Sequence, residues 1–382
     1  MRISLVSAAL VAALVGYGSS IAILLAAAAA VGASEAQTAS WLLAICLAKA
    51  AGSLFLSLRH RVPVVLAWST PGAALIAASE GVSMAQAVGA FVLAGLLVAL
   101  TGVIRPLGRL IAMIPDAIAA GMLAGVLLPF CLRGMAAAGV APLMVLPMVA
   151  VFALVRLANA PMAVLAALAA GLALAFGPGA ATWPGLALPL PGLVFIAPEI
   201  SPGVLIGLGL PLYLVTMASQ NLPGFAVMRA AGYEPPVNSA LGVTGGLSAL
   251  SGLFGAHGIS MAAITAAICL GPEVHTDRAE RWKVGVVYAA VWVVLGLTGP
   301  LILRILAALP AEVMAALVAL ALLGPLTGAL TAATAAPPQR FAAVMTLAVT
   351  ASGVALLGIG AAFWGLAAGL ALYAMERAAR KA

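Results

Sequence analysis

Two short stretches put residues suited to holding an anion inside otherwise apolar sequence. The first, PVVLAWSTPGAAL (63–75), has β-branched and bulky residues before Ser69 and helix formers after Gly72. A proline within a helix costs about 3 kcal/mol, whereas Thr70 as N-cap with Pro71 at the first helical position is a favoured start. The reading is an extended piece followed by a half-helix, with one proline-kinked helix as the alternative. The second stretch, GLFGAHGISMAAIT (252–265), again sets glycines before a helical run, with Ser260 or a neighbour as its cap. A helix N-terminus is worth about half a positive charge, so two of them meeting in low dielectric make an anion site. Ser69, Thr70 and Gly72 from one side, with Gly258, Ile259 and Ser260 from the other, are the expected N–H and hydroxyl donors.

Around these stretches lie other polar groups at membrane depth. His257 is the one histidine within a span, and intramembrane ionisable residues are functional by default; it is expected to couple a proton, against a neutral histidine satisfied by a carbonyl. Lys49, the one basic residue deep inside a span, can snorkel toward the cytoplasm. Gln220 and Asn221, in SQNLPG (219–224), sit before a proline break and either bind a ligand or satisfy frayed carbonyls. Tyr17, Ser19 and Ser20 offer hydroxyls, or simply small contacts between helices. Asp116 and Glu312 follow Pro115 and Pro310, where a helix dipole accounts for them. No acid falls centrally in a span. The loop EVHTDRAE (273–280) resembles a metal cluster only superficially, and no HExxH, Walker loop or GxSxG occurs, so no metal, cofactor or enzymatic activity is expected.

The elements that position these residues follow from composition. Of 382 residues, 65% are hydrophobic and 7% charged, against roughly 25% charged in a soluble domain. The mean hydropathy of +1.23 holds over the whole chain, which excludes a sizeable soluble domain. Apolar runs are too long and lack the alternation of barrel strands, so the fold class is an all-α polytopic membrane protein. Fourteen spans are expected, at 4–31, 36–58, 63–80, 83–104, 114–132, 141–157, 160–177, 200–219, 237–254, 257–271, 284–303, 310–330, 341–359 and 361–376. Met1 to Gly32 holds a single Arg and an apolar stretch too long for a signal peptide, so the first span is expected to remain as an anchor.

With the N-terminus inside, fourteen basic residues fall on the cytoplasmic side, among them Arg2, Arg105, Arg109, Arg380 and Lys381, against Arg133 and Arg304 outside. That bias places both termini in the cytoplasm. The net charge of +7 therefore reports orientation in a lipid bilayer, with no nucleic acid implied. Cys46, Cys131 and Cys269 lie far apart in apolar runs and read as core residues. Six prolines between Phe176 and Pro202 (178, 184, 189, 191, 198, 202) mark an irregular external connection. They divide the chain into halves, 1–180 and 200–382, of seven spans each. Leu100-Thr101-Gly102, Arg109 and Pro115 recur in order as Leu297-Thr298-Gly299, Arg304 and Pro310. A repeat with an odd number of spans must be inverted, and spans 3 and 10 become its paired, discontinuous members.

At PVVLAWSTPGAAL (63–75), SQNLPGF (219–225) and the GAH of GAHGISMAAITAAICLGPE (255–273), the sequence resembles the BenE family of benzoate:proton symporters over nearly its full length. That family is similar to the nucleobase-transporter fold. The resemblance implies a core domain of spans 1–4 and 8–11, a gate domain of spans 5–7 and 12–14, and short strands in spans 3 and 10. It implies import of benzoate or a related aromatic carboxylate with a proton, across a bacterial inner membrane, by alternating access. A homodimer is compatible with such a chain. One departure is that Gln220-Asn221 stand where nucleobase transporters commonly carry a carboxylate. Trp68, Phe225 and Phe254 are then the candidates to contact the substrate ring. The alternatives on the same fold are an inorganic-anion, dicarboxylate or nucleobase transporter; an anion channel is a further one.

Overall fold

The structure, a computed structural model, describes residues 3–104, 114–177, 181–185 and 190–379, except for the side chain of Ile264. Arg2, Arg105, Arg109, Pro178, Pro189, Arg380 and Lys381 lie outside the described residues. The described residues follow the fourteen-span order, as helices or as broken elements. Packing carries the inverted repeat. Span 2 (Glu35–His60) lies along span 11 (Lys283–Leu297, bending by 55° into Gly299–Ala307), as span 9 (Val237–Gly252) lies along span 4 (Met84–Val103). Span 13 (Arg340–Ala351) packs on span 14 (Ala361–Ala379) as span 6 (Pro142–Ala158) packs on span 7 (Ala163–Phe176), and span 5 (Asp116–Ala136) meets its counterpart span 12 (Ala311–Ala335). Small residues allow these crossings: a Cβ on Gly95 would stand 2.5 Å from the amide nitrogen of Ala249, and one on Gly245 would collide with Ala99.

Spans 3 and 10 are the broken ones. Strand β1 (Leu66–Trp68) pairs antiparallel with β2 (Ile259–Met261), in the register Leu66↔Met261, Ala67↔Ser260 and Trp68↔Ile259. A two-fold axis through the central pair produces that register. Unpaired backbone within a bilayer is costly, so two short extended pieces are tolerated only where they satisfy one another. Serines complete the pattern symmetrically: Ser53 Oγ accepts from Leu66 N at 3.1 Å, and Ser248 Oγ accepts from Ile259 N at 2.9 Å. Each strand is thus tied to the span before it.

Several boundaries differ from the expected ones, each for a local reason. The half-helix of span 3 (Thr70–Ala77) is capped by Ser69, one residue before the expected Thr70, because the Ser69 hydroxyl reaches Gly72 N. Ser260 caps nothing; it sits in mid-strand opposite Ala67, and the half-helix of span 10 (Ile264–Leu270) begins after Ala263 with no side-chain cap. Span 8 does not stop at 219. It runs from Pro202 to Ala230, and a π-helical turn over Met217–Asn221 absorbs the carbonyl that Pro223 cannot serve. Span 1 breaks between Ile3–Gly18 and Ile21–Ala30. Span 13 ends eight residues before the expected 359, in a turn with Gly353 and Gly358 at φ +70° and +73°.

Candidate functional site

The two strands bring the starts of the half-helices together, and Ser69 is the most connected residue there. Its hydroxyl oxygen accepts from Gly72 N at 3.1 Å and from the Thr216 hydroxyl of span 8 at 2.9 Å, while its amide donates to Gly258 O at 3.4 Å. With both lone pairs engaged, the Ser69 hydroxyl keeps its own proton to donate. Thr70 beside it is half-buried and opens the half-helix. Packing at Gly72 is close: a Cβ there would stand 2.6 Å from Leu212 Cδ1 of span 8 and 2.8 Å from Ser69 Oγ. Gly258 has φ +116°, a conformation that only glycine adopts without strain.

His257 is fully enclosed beside this point. Its Nδ1 accepts from Trp41 Nε1 at 3.0 Å, and its Nε2 lies 3.0 Å from Ser69 O, where it donates. Both ring nitrogens are satisfied by the neutral tautomer with the proton on Nε2. A charged ring would set an Nδ1 proton against the Trp41 N–H.

Span 8 runs past both half-helices. Asn221 is completely buried; its Oδ1 accepts from Met261 N at 2.9 Å and its Nδ2 donates to Met217 Sδ at 3.4 Å. It therefore holds β2 in place, whereas Gln220 next to it is half-buried. Asn221→Ala should lower stability by about 1–3 kcal/mol, because Met261 N is left buried without an acceptor. A lowered thermal midpoint of the detergent-solubilised protein is the expected reading, and an unchanged one would rule this role out. Phe225 is buried on the same span.

The remaining candidates separate into two places. Trp68 turns into the interior, donating to Ser20 Oγ at 2.7 Å and packing on Tyr17 and on Trp292 of span 11 at 5.8 and 5.3 Å between ring centroids. Ser20 also donates to Gly16 O at 2.5 Å, and Ser19 does so at 3.4 Å. Lys49 does not snorkel: it is 1% exposed and lies over these tryptophan rings. Phe254 lies apart from the half-helix starts, edge-on to Phe195 of the connection between the halves. Thr216, Ser248, Trp41 and Trp292 are the contributors that spacing in the sequence does not announce. Each comes from a different span and is a single polar or aromatic residue in an apolar run.

Two cavities flank span 8. One, with room for about one water, lies between Tyr213 and Thr216 of span 8 and Ser248, His257 and Gly258. The other, with room for about two, is apolar: Leu214, Ala218 and Leu222 of span 8 face Ala119 and Met122 of span 5, with Asp116 at its rim. On the charged loop, Asp277 caps Ala279, His275 accepts from Asp277 N, Arg281 donates to Leu270 O and His275 O, and Lys283 pairs with Glu280. It is a hydrogen-bonded turn.

Known proteins resemble this chain at both levels. It is 40% identical over 367 residues to the inner membrane protein YdcO of Escherichia coli, covering 96% of this chain and 94% of that one. It is 33% identical over 367 residues to the benzoate membrane transport protein of Acinetobacter baylyi, covering 96% and 93%. Among solved structures, the transmembrane domain of the cyanobacterial bicarbonate transporter BicA superposes with a TM-score of 0.62 at 16% identity, covering 97% of this chain and 98% of that one. SLC26A9 gives 0.62 at 15%, covering 97% and 64%. These two share the fold. Residues 1–375 match the family described as benzoate membrane transport protein, so this multi-pass membrane chain is a transporter, not an enzyme, and belongs to the BenE family.

Proposed function

We propose that this protein imports benzoate or a related aromatic carboxylate together with a proton across a bacterial inner membrane, with both termini in the cytoplasm. The observation that carries this reading is Ser69: a hydroxyl with both lone pairs engaged, at the start of a half-helix, has only a proton to offer. Such a group suits an anion. A neutral nucleobase with N–H donors would need an acceptor, and spans 3, 8 and 10 carry no carboxylate beside the half-helix starts. Thr70 and Gly258 complete the carboxylate end, since Ile259 N already donates to Ser248 Oγ and Ser260 is paired in mid-strand with Ala67, and Gln220 is close by in sequence to both cavities.

The apolar slot between spans 5 and 8 is the better wall for the ring than Trp68 or Phe254, since those two side chains face elsewhere. Neither cavity admits an aromatic acid as it stands. Binding therefore requires spans 1–4 and 8–11, as a core, to part from spans 5–7 and 12–14, as a gate, and transport is the alternation of that parting between the two sides. His257, expected to carry the coupling proton, is better suited to positioning, because it fixes Ser69 O against span 2.

A second reading, transport of an inorganic anion, is favoured by the bicarbonate transporter that shares the fold. Proteoliposomes decide between them. Labelled benzoate should accumulate under an inwardly directed proton gradient, with unlabelled benzoate competing and sulfate, bicarbonate and uracil not competing. Accumulation of bicarbonate in place of benzoate would establish the second reading.

A further inference from the structure

Lys49 is a charge that the site described above does not use. It lies 14 residues into span 2, about 21 Å from one end of a helix about 39 Å long, so it is near mid-membrane. Its Nζ is 3.0 Å from the ring centroid of Trp292 and 4.4 Å from that of Trp68. Tyr17 closes the cluster, 5.8 Å from Trp68 and 6.0 Å from Trp292 between centroids. Among the described residues one ion pair occurs, Lys283 with Glu280 on the charged loop, so Lys49 has no carboxylate. One further polar atom of the cluster is buried without a partner, Tyr17 Oη, while Trp292 Nε1 faces the hydroxyl of Tyr288. Two groups able to donate, Lys49 and Tyr17, thus lie in one aromatic cluster with no anion to receive them.

The cluster adjoins both half-helix starts. Trp68 immediately precedes the cap Ser69, and a Cβ on Gly16 would touch both Thr265, in the first turn of span 10, and Trp292, at 3.5 and 3.8 Å. The titratable groups facing Lys49 are Tyr17 of span 1, Cys46 of its own helix, Tyr288 of span 11 with Cys269 of span 10 beyond it, and His257 of span 10. None supplies a permanent negative charge. Aromatic faces stabilise a desolvated ammonium only in part, and burial of a lone cation outweighs that gain. A full charge on Lys49 therefore calls for an anion close by.

Resting on the proposed transport of an aromatic carboxylate, the geometry points to Lys49 as the proton-binding group of the transport cycle. With the site empty, Lys49 is a neutral amine among aromatic rings. When the carboxylate arrives, the amine takes one proton from water, and ammonium and carboxylate cross as a pair with no net charge. On the far side the anion leaves and the amine returns its proton. On entry an N–H bond forms as an O–H bond of hydronium breaks, and on the far side the reverse returns the proton to water. Lysine suits this better than arginine because its amine can release the proton.

The test uses the purified full-length protein in weakly buffered detergent solution near neutral pH, titrated with benzoate while a pH indicator reports protons. Wild type should take up about one proton per benzoate bound, as an ammonium paired to the bound anion demands. Lys49→Gln should weaken benzoate binding about 30-fold or more, the loss expected when one member of a buried charge pair is removed. Lys49→Arg should bind benzoate without proton uptake, and in proteoliposomes should exchange benzoate but not accumulate it under a proton gradient. Benzoate binding with wild-type proton uptake in either variant overturns the assignment. So does binding by wild type with no uptake, a reading that holds even if a variant fails to fold. Failure of wild type to bind any aromatic carboxylate would instead overturn the substrate reading itself.

Discussion

Ser69→Leu is expected to abolish benzoate binding and uptake while leaving a protein that inserts and purifies as a single species. Three losses coincide. The half-helix loses its N-cap, worth about 0.5–2 kcal/mol, and Thr216 loses the acceptor of its hydroxyl proton. The larger side chain meets a closed site, because Ser69 is completely buried; overpacking of that kind costs about 1–3 kcal/mol. The penalty is local to the half-helix start, where the carboxylate is proposed to bind, whereas the long helix pairs that fix the fold lie elsewhere. Ser69→Ala should give the smaller, graded loss of a cap and a donor alone. Ser260→Leu should also abolish binding, by a different route, since Ser260 is completely buried opposite Ala67 and a larger residue must part the two strands. Isothermal titration with benzoate, alongside thermal melts to exclude unfolding, reads these outcomes. If both leucine variants bound benzoate with unchanged affinity, the paired half-helix site would be misplaced.

The difference between Ser69 and Ser260 shows where sequence reasoning reaches its limit. In WSTP, serine and threonine are adjacent and either is a competent cap, so only the backbone torsion at Ser69, ψ 90°, decides between them. In HGISMA, a serine after glycine looks like a cap, but the strand pairing that claims it comes from Ala67, 193 residues away. Local pattern carries no information about that partner. Lys49 is legible only in part: its depth in span 2, more than about 16 Å from either end, tells against snorkelling, but not what encloses it. The rings that enclose it come from spans 3 and 11 and meet only in the fold. By contrast, spans separated by charge and proline were legible because the bilayer demands a fixed apolar length. The inversion was legible from Thr-Gly, Arg and Pro recurring in order. The discontinuity of spans 3 and 10 was legible because proline and glycine leave a helix few alternatives there.

A covalent link between span 5 and span 8 should stop transport altogether. Ala119 and Ala218 line the same apolar cavity from opposite sides, one in the proposed gate and the other in the proposed core. Both are half-buried, within reach of a small reagent. Cysteines at these two positions, with the three buried native cysteines replaced by alanine, can be joined by a short bifunctional thiol reagent. If the substrate enters by separation of the two groups of spans, the joined protein has no route to an open site, and uptake of benzoate should fall to background. A link within the core should have no such effect. His60 and Ser239, whose side chains meet at 2.9 Å at the ends of spans 2 and 9, provide it when both are changed to cysteine and joined in the same way. The comparison separates blockage of motion from damage by the reagent. Uptake that continued at its full rate with the 119–218 link closed would mean that spans 5 and 8 move together, and the division of the chain into a core of spans 1–4 and 8–11 and a gate of spans 5–7 and 12–14 would have to be redrawn.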